Sequence, residues 1–192
     1  MTSRERSALL VVDVQNDFCT NGALAVSGSE RVIDAMNRHI NRAVTRNWPV
    51  YASRDWHPLQ TTHFKPEGPW PMHCVQDSPG ARFHPDLHLP ADAIVVTKGD
   101  RADDAGYSAF EGRTPDGTPL AADLERRGVT HLYVGGLATD YCVRASALDA
   151  LAAGLRVTVL EDAVAGVDLI PGDSARALDE MRGKGAELAR TP

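Results

Sequence analysis

Asp13, Asp55, His57, Lys98 and Cys142 each stand at or just beyond the end of a short apolar run. Asp13 ends Ala8-Leu9-Leu10-Val11-Val12, and Asp55 and His57 follow Pro49-Val50-Tyr51-Ala52-Ser53. Lys98 closes Ala93-Ile94-Val95-Val96-Thr97, and Cys142 comes soon after Leu132 to Leu137. If the runs are parallel strands, these residues share the C-terminal edge of a sheet, where open α/β sheets place their ligand sites. An acid, an acid–imidazole pair, an amine and a thiol then meet there. A thiolate can attack a carbonyl carbon, Asp13 can take and return a proton, and helix N–H groups can hold the oxyanion. A helix opened by Thr139 or Asp140 puts Cys142 in its first turn, where the positive dipole end, with Lys98, is expected to lower the thiol pKa. Each residue alone has a plainer reading. A helical cysteine is commonly a small core hydrophobe, and an acid or lysine after a strand is commonly a solvated loop charge. Their convergence on one edge favours catalysis.

Asp55 and His57 are spaced as a D-x-H pair, and His73 follows in the same loop. A carboxylate and two imidazoles with open positions suit zinc, iron or manganese rather than copper. His63 is a further ligand or a supporting partner. His39, His84, His88 and His131 have no such setting and read as core or surface histidines. Trp56, Phe64, Trp70, Phe18 and Tyr107 cluster near these positions, so a flat apolar slot for a small aromatic ligand is expected beside the metal and the thiol. Cys19 and Cys74 have no evident base and read as structural.

The elements that must hold these groups follow from periodicity. Val32, Ile33, Met36, Ile40, Ala43 and Val44 recur at helical spacing between Glu30 and Arg46, with Ser27 or Ser29 as the expected cap. Further helices are expected over about 118–127, from Thr139 or Asp140 to Ala153, and from Asp173 to Arg182. Arg156 to Leu160 reads as a fifth strand and Ala186 to Ala189 as a last one. Between 54 and 92 there is little periodicity, seven prolines and five of the seven histidines, the profile of a functional loop. Strands alternating with helices imply right-handed βαβ units and a parallel sheet between helical layers.

The 192 residues, 43% of them apolar, suffice for one α/β domain over 1–192 with its own core. The net charge of −6 argues against a nucleic-acid or anionic-membrane binder. Three cysteines cannot all pair within one chain, and the chain reads as a reduced, cytoplasmic protein. No apolar run approaches the length of a transmembrane helix.

The segments Val11-Val12-Asp13-Val14-Gln15-Asn16-Asp17-Phe18, Arg54-Asp55-Trp56-His57-Pro58, Trp70-Pro71-Met72-His73-Cys74-Val75, Lys98-Gly99 and Gly136-Leu137-Ala138-Thr139-Asp140-Tyr141-Cys142-Val143 resemble the nicotinamidase (pyrazinamidase) family of isochorismatase-like hydrolases. The resemblance runs in order from about residue 8 to residue 183. It implies a three-layer α/β/α fold with a six-stranded parallel sheet of order 3-2-1-4-5-6. It also implies hydrolysis of nicotinamide to nicotinate and ammonia in NAD salvage, through a cysteine thioester, with pyrazinamide accepted too. By position, Asp13, Lys98 and Cys142 match the family's catalytic triad, and Asp55, His57 and His73 its metal ligands. His63 stands where some members place a histidine and others a serine or glutamate. Ala138 and Cys142 match the oxyanion hole, with a cis peptide before Ala138, and Phe18, Leu24, Trp70 and Tyr107 match ring contacts. A divalent metal is implied, zinc first and iron or manganese as alternatives. Nicotinamide is the implied partner, and a homo-oligomer is common in the family. The nearest rival is an isochorismatase-like amide hydrolase acting on another small substrate.

Overall fold

The computed structural model describes residues 6–190. Six strands, β1 (Ser7–Val12), β2 (Val50–Asp55), β3 (Ile94–Lys98), β4 (His131–Leu137), β5 (Arg156–Ala165) and β6 (Glu187–Ala189), form one sheet. Its order is β3-β2-β1-β4-β5-β6 and every pairing is parallel, as expected. Four α-helices cover it: α1 (Ser29–Thr45), α2 (Leu120–Arg126), α3 (Arg144–Ala152) and α4 (Asp173–Gly183).

β1 is buried along its whole length, so its alternate residues feed two cores. Leu9 and Val11 pack with Val32, Met36 and Ile40 of α1 on one face. Ala8, Leu10 and Val12 pack on the other with Leu120 and Leu124 of α2, Ala147 of α3 and Met181 of α4. In-register pairing fixes the site. Val12 is opposite both Ser53 and Gly136, and Asp55 is opposite Lys98, so the polar residues leave the sheet side by side. Gly136 is needed at this centre: its φ is +124° and a Cβ there would lie 2.1 Å from the Val12 carbonyl oxygen.

Several local expectations are corrected. α1 is preceded by Gly28 with φ +83°, and no side chain caps it; Ser29 is its first residue rather than its cap. Val44 is 49% exposed, off the buried stripe. β2 runs on to Asp55, because β3 pairs with it that far. β5 continues past Leu160 to Ala165, with a register shift against β4 between Val134 and Gly136 that period-two reasoning could not foresee. Thr139–Val143 is a π-helical turn leading into α3, and neither Thr139 nor Asp140 caps it. The Asp140 carboxylate instead accepts from the backbone N–H groups of Val167 and Asp168, at 3.0 and 2.8 Å. Among the described residues no helix is long and apolar enough to cross a membrane.

Candidate active site

At the C-terminal edge of β1, β2 and β3, Lys98 is 1% exposed and its ammonium is shared by four neighbours. It lies 2.7 Å from Asp13 Oδ2, donates to Asp55 Oδ1 and to the Gly106 carbonyl, and sits 3.6 Å from Cys142 Sγ. Burial alone would lower the lysine pKa, but Asp13 and Asp55 outweigh it and hold the ammonium well above the usual range. Burial likewise favours a neutral Asp55, yet the Lys98 ammonium beside it keeps its carboxyl well below the usual carboxylate range. Asp13 moves the other way. Burial, together with the Asp55 charge, pushes it up to about 6 against the pull of Lys98 and Ser53.

The carboxylates of Asp13 and Asp55 and the Cys142 sulfur come within 4.8 Å of one another. The expected low thiol pKa at Cys142 is not found. The residue is 7% exposed, and burial, with Asp13 and Asp55 beside the sulfur, pushes the thiol well above its ordinary value although Lys98 pulls it down. Two anionic neighbours and the loss of water outweigh the pull of Lys98. Cys142 is therefore a thiol at rest, and an adjacent base must take its proton during attack.

Beside the triad, His57, His63 and His73 bring one ring nitrogen each within 4.8 Å of the others. His57 and His63 stack at 4.4 Å, and His73 stands edge-on to His57 at 5.2 Å. His57 Nδ1 lies 3.1 Å from the Gly99 carbonyl and His73 Nδ1 2.8 Å from the Pro71 carbonyl. A carbonyl only accepts, so both Nδ1 atoms carry the proton and both Nε2 lone pairs are free. Burial lowers the His73 pKa and takes His63 down to about 4, which keeps both neutral, as metal ligation requires. His57 closely abuts Gly99, where a Cβ would fall 2.6 Å from the ring and φ is +64°.

The donor set fits a divalent ion on two observations. His57 Nε2 is buried without a hydrogen-bond partner, and Asp55 Oδ2 lies 3.7 Å from it. Two buried carboxylates against one ammonium also leave an excess negative charge that a cation would offset. The structure thus brings His63 into the same group as His57 and His73, with Asp55 adjoining and shared with Lys98.

A narrow cavity opens onto these groups. Phe18, Leu24, Trp70 and Tyr107 line it, together with Asp55, His63, His73, Ala138 and Cys142. Tyr141 and Val167 also line it; the resemblance implies no role for Tyr141, and nothing in the local sequence marks Val167. The Trp70 indole N–H donates to the Tyr107 hydroxyl at 2.9 Å, and Tyr141 lies edge-on to Trp70 at 4.8 Å. Two expected aromatics do not reach the cavity. Trp56 lies under the Arg54 guanidinium at 3.9 Å, and Phe64 packs edge-on against His57 at 5.4 Å, 4% exposed. The Leu137–Ala138 peptide is cis. Cys19 and Cys74 are buried in the α1-side core. Of the other histidines, His39 meets Asp162 and His131 meets Thr158. A larger cleft of about 920 Å³ at the opposite end of the sheet, lined by Arg46, Trp48 and Arg127 among others, contains none of these groups.

Residues 7–192 match the model of the isochorismatase domain family. The chain is 43% identical to the nicotinamidase of Escherichia coli (strain K12), over 94% of this chain and 93% of that protein. It is also 43% identical to the nicotinamidase/pyrazinamidase of Mycobacterium tuberculosis, over 94% of this chain and 97% of the relative. Among solved structures, the pyrazinamidase of Pyrococcus horikoshii in complex with zinc superposes with a TM-score of 0.89 at 43% identity, covering 97% of this chain and 99% of that one.

Proposed function

The chain belongs to the isochorismatase domain family, on its nicotinamidase and pyrazinamidase branch, and on that premise we propose that it hydrolyses nicotinamide to nicotinate and ammonia, with pyrazinamide as a second substrate. The observation that carries this reading is the joint lining of one cavity. Cys142 lies in its wall beside His63 and His73, with aromatic rings around them.

Asp13 takes the Cys142 proton as the sulfur attacks the carboxamide carbon, so that a C–S bond forms and the carbonyl oxygen becomes an oxyanion. Lys98 stabilises the developing thiolate from 3.6 Å. The backbone N–H groups of Ala138 and Cys142 hold the oxyanion. Asp13 returns the proton to the departing nitrogen, the C–N bond breaks, and ammonia leaves a nicotinoyl thioester. Asp13 then takes a proton from water, the hydroxyl adds to the thioester carbon, the C–S bond breaks, and the sulfur regains a proton. His57, His63 and His73, with Asp55 adjoining, would hold the ion. When bound, that ion supplies a Lewis-acidic point for the pyridine nitrogen, which aims the carboxamide at the sulfur. Zinc is the ion we propose, as in the Pyrococcus relative, and iron and manganese also suit the donors. Phe18, Leu24, Trp70 and Tyr107 hold the ring flat. We place the activity in pyridine-nucleotide salvage and in the cytoplasm, which suits three free thiols.

The test is ammonia release measured for nicotinamide, pyrazinamide and benzamide, the last of which has the same carboxamide but no ring nitrogen. Turnover of the first two with benzamide strongly disfavoured is expected. Turnover of none of them would point to another small amide.

A further inference from the structure

Ser53 is wholly buried in β2, opposite the last residue of β1, and the reaction scheme above gives it nothing to do. Its hydroxyl donates to Asp13 Oδ1 at 2.7 Å, and its carbonyl accepts from the Asp13 N–H at 3.2 Å. Asp13 is thus clasped at main chain and side chain by a single residue of the neighbouring strand. Its own backbone has φ 49° as the chain leaves the sheet, so nothing in regular strand geometry fixes its side chain.

The two oxygens of Asp13 are held differently. Oδ1 takes the Ser53 proton. Oδ2 lies 2.7 Å from the Lys98 ammonium but accepts no aligned hydrogen bond, and it is buried. An ammonium on a flexible stem acts as a point charge and does not choose between two carboxylate oxygens. A buried hydroxyl does choose, because it has one proton to give and one partner within reach.

We infer that Ser53 is a positioning residue that occupies Asp13 Oδ1 and so makes Oδ2 the oxygen that carries the proton between Cys142 and the leaving nitrogen. The inference rests on the hydrolase reading above. One fixed oxygen matters because the same proton must be taken from sulfur and delivered to nitrogen without the carboxylate turning between the two events. Removing the hydroxyl leaves Oδ1 as a second buried acceptor competing for Lys98, and the carboxylate can rotate.

The experiment compares Ser53→Ala and Ser53→Thr with the unchanged chain in the metal-loaded protein, through kcat and KM for nicotinamide and the rate at which iodoacetamide modifies Cys142, located by peptide mass. Ser53→Ala should lower kcat by about tenfold or more, a part of what a general acid–base group contributes, with KM nearly unchanged and Cys142 alkylation slowed in parallel. Ser53→Thr, which keeps the hydroxyl, should restore both. Unchanged kcat and alkylation in Ser53→Ala would overturn the inference, and so would equal losses in the two variants, since that would mark a packing effect. If the unchanged chain releases no ammonia from nicotinamide, the functional reading fails alone, and the alkylation arm still decides the role of Ser53.

Discussion

Lys98 and Asp13 form an ion pair of 2.7 Å with neither side chain exposed. The same ammonium also binds Asp55, so one cation holds two carboxylates that would otherwise be buried as uncompensated charges. This pair joins the two halves of the site, because Asp13 faces the Cys142 sulfur while Asp55 adjoins the histidine cluster.

Replacing Lys98 by Met should therefore damage folding as well as activity. Removing one partner of a buried ionic group typically costs about 3–5 kcal/mol. Urea denaturation should show a loss of that order, partly recovered at low pH where the carboxyls are neutral. A Lys98→Met variant as stable as the original at pH 7 would show that the pair is not buried.

The pH behaviour of Asp13 has a definite sign. Its pKa is raised from 3.8 to about 6. A carboxyl whose native pKa exceeds its unfolded value binds its proton more tightly when folded. Its contribution to stability is then complete below pH 3.8 and lost as pH rises through about 6. In the metal-free protein, an isotope-edited infrared titration should place its midpoint near 6, and a bound divalent cation should lower it. A midpoint at the ordinary value of 3.8 in the metal-free protein would contradict the site's electrostatics.

The resting state of Cys142 is open to direct observation. Burial and the two carboxylates push its pKa well up, so ultraviolet thiolate absorbance should not appear at Cys142 at neutral pH, where only a low-pKa cysteine would show it. The difference spectrum against Cys142→Ala isolates the signal from Cys19 and Cys74. A thiolate band at pH 7 would restore the helix-dipole expectation.

His63 converges with His57 and His73 rather than standing apart. Truncating it to Ala should weaken metal binding by at least about tenfold. Competition against a chromophoric chelator gives the affinity without reference to turnover. Unchanged affinity would leave His57, His73 and Asp55 as the sufficient set.

Trp70 holds the Tyr107 hydroxyl through its indole N–H. Trp70→Phe keeps an aromatic wall and removes that hydrogen bond, a loss of about 1 kcal/mol. KM for nicotinamide should rise by roughly fivefold, with kcat less affected. A fall in kcat at constant KM would mean that the pair acts on the chemistry rather than on the ring.

Much of this site is legible in the sequence because its groups are tied to strand ends. Asp13, Asp55 and Lys98 follow apolar runs whose parallel pairing places them together, and Val12 opposite Ser53 and Asp55 opposite Lys98 is the register that does so. The strand order follows from the family resemblance and not from periodicity, which carries no information on which strands pair. Contacts made by residues distant in sequence were invisible. Val167 reaches the cavity because β5 runs further than its apolar core and Asp140 holds the following loop. Ser53 meets Asp13 only through sheet register. Helix position alone points the Cys142 pKa the wrong way because it is local information, whereas burial beside two carboxylates depends on the whole fold.

Ammonia release from nicotinamide, measured side by side for the unchanged chain and Cys142→Ala, decides whether hydrolysis runs through this thiol. Both are stripped with chelator and reloaded in turn with zinc, iron and manganese. Metal-restored release matched by nicotinate is expected in the unchanged chain, with a loss of at least ~10³-fold in Cys142→Ala, as for removal of a nucleophile. No release under any loading, or equal release from the variant, would rule out nicotinamide hydrolysis through Cys142.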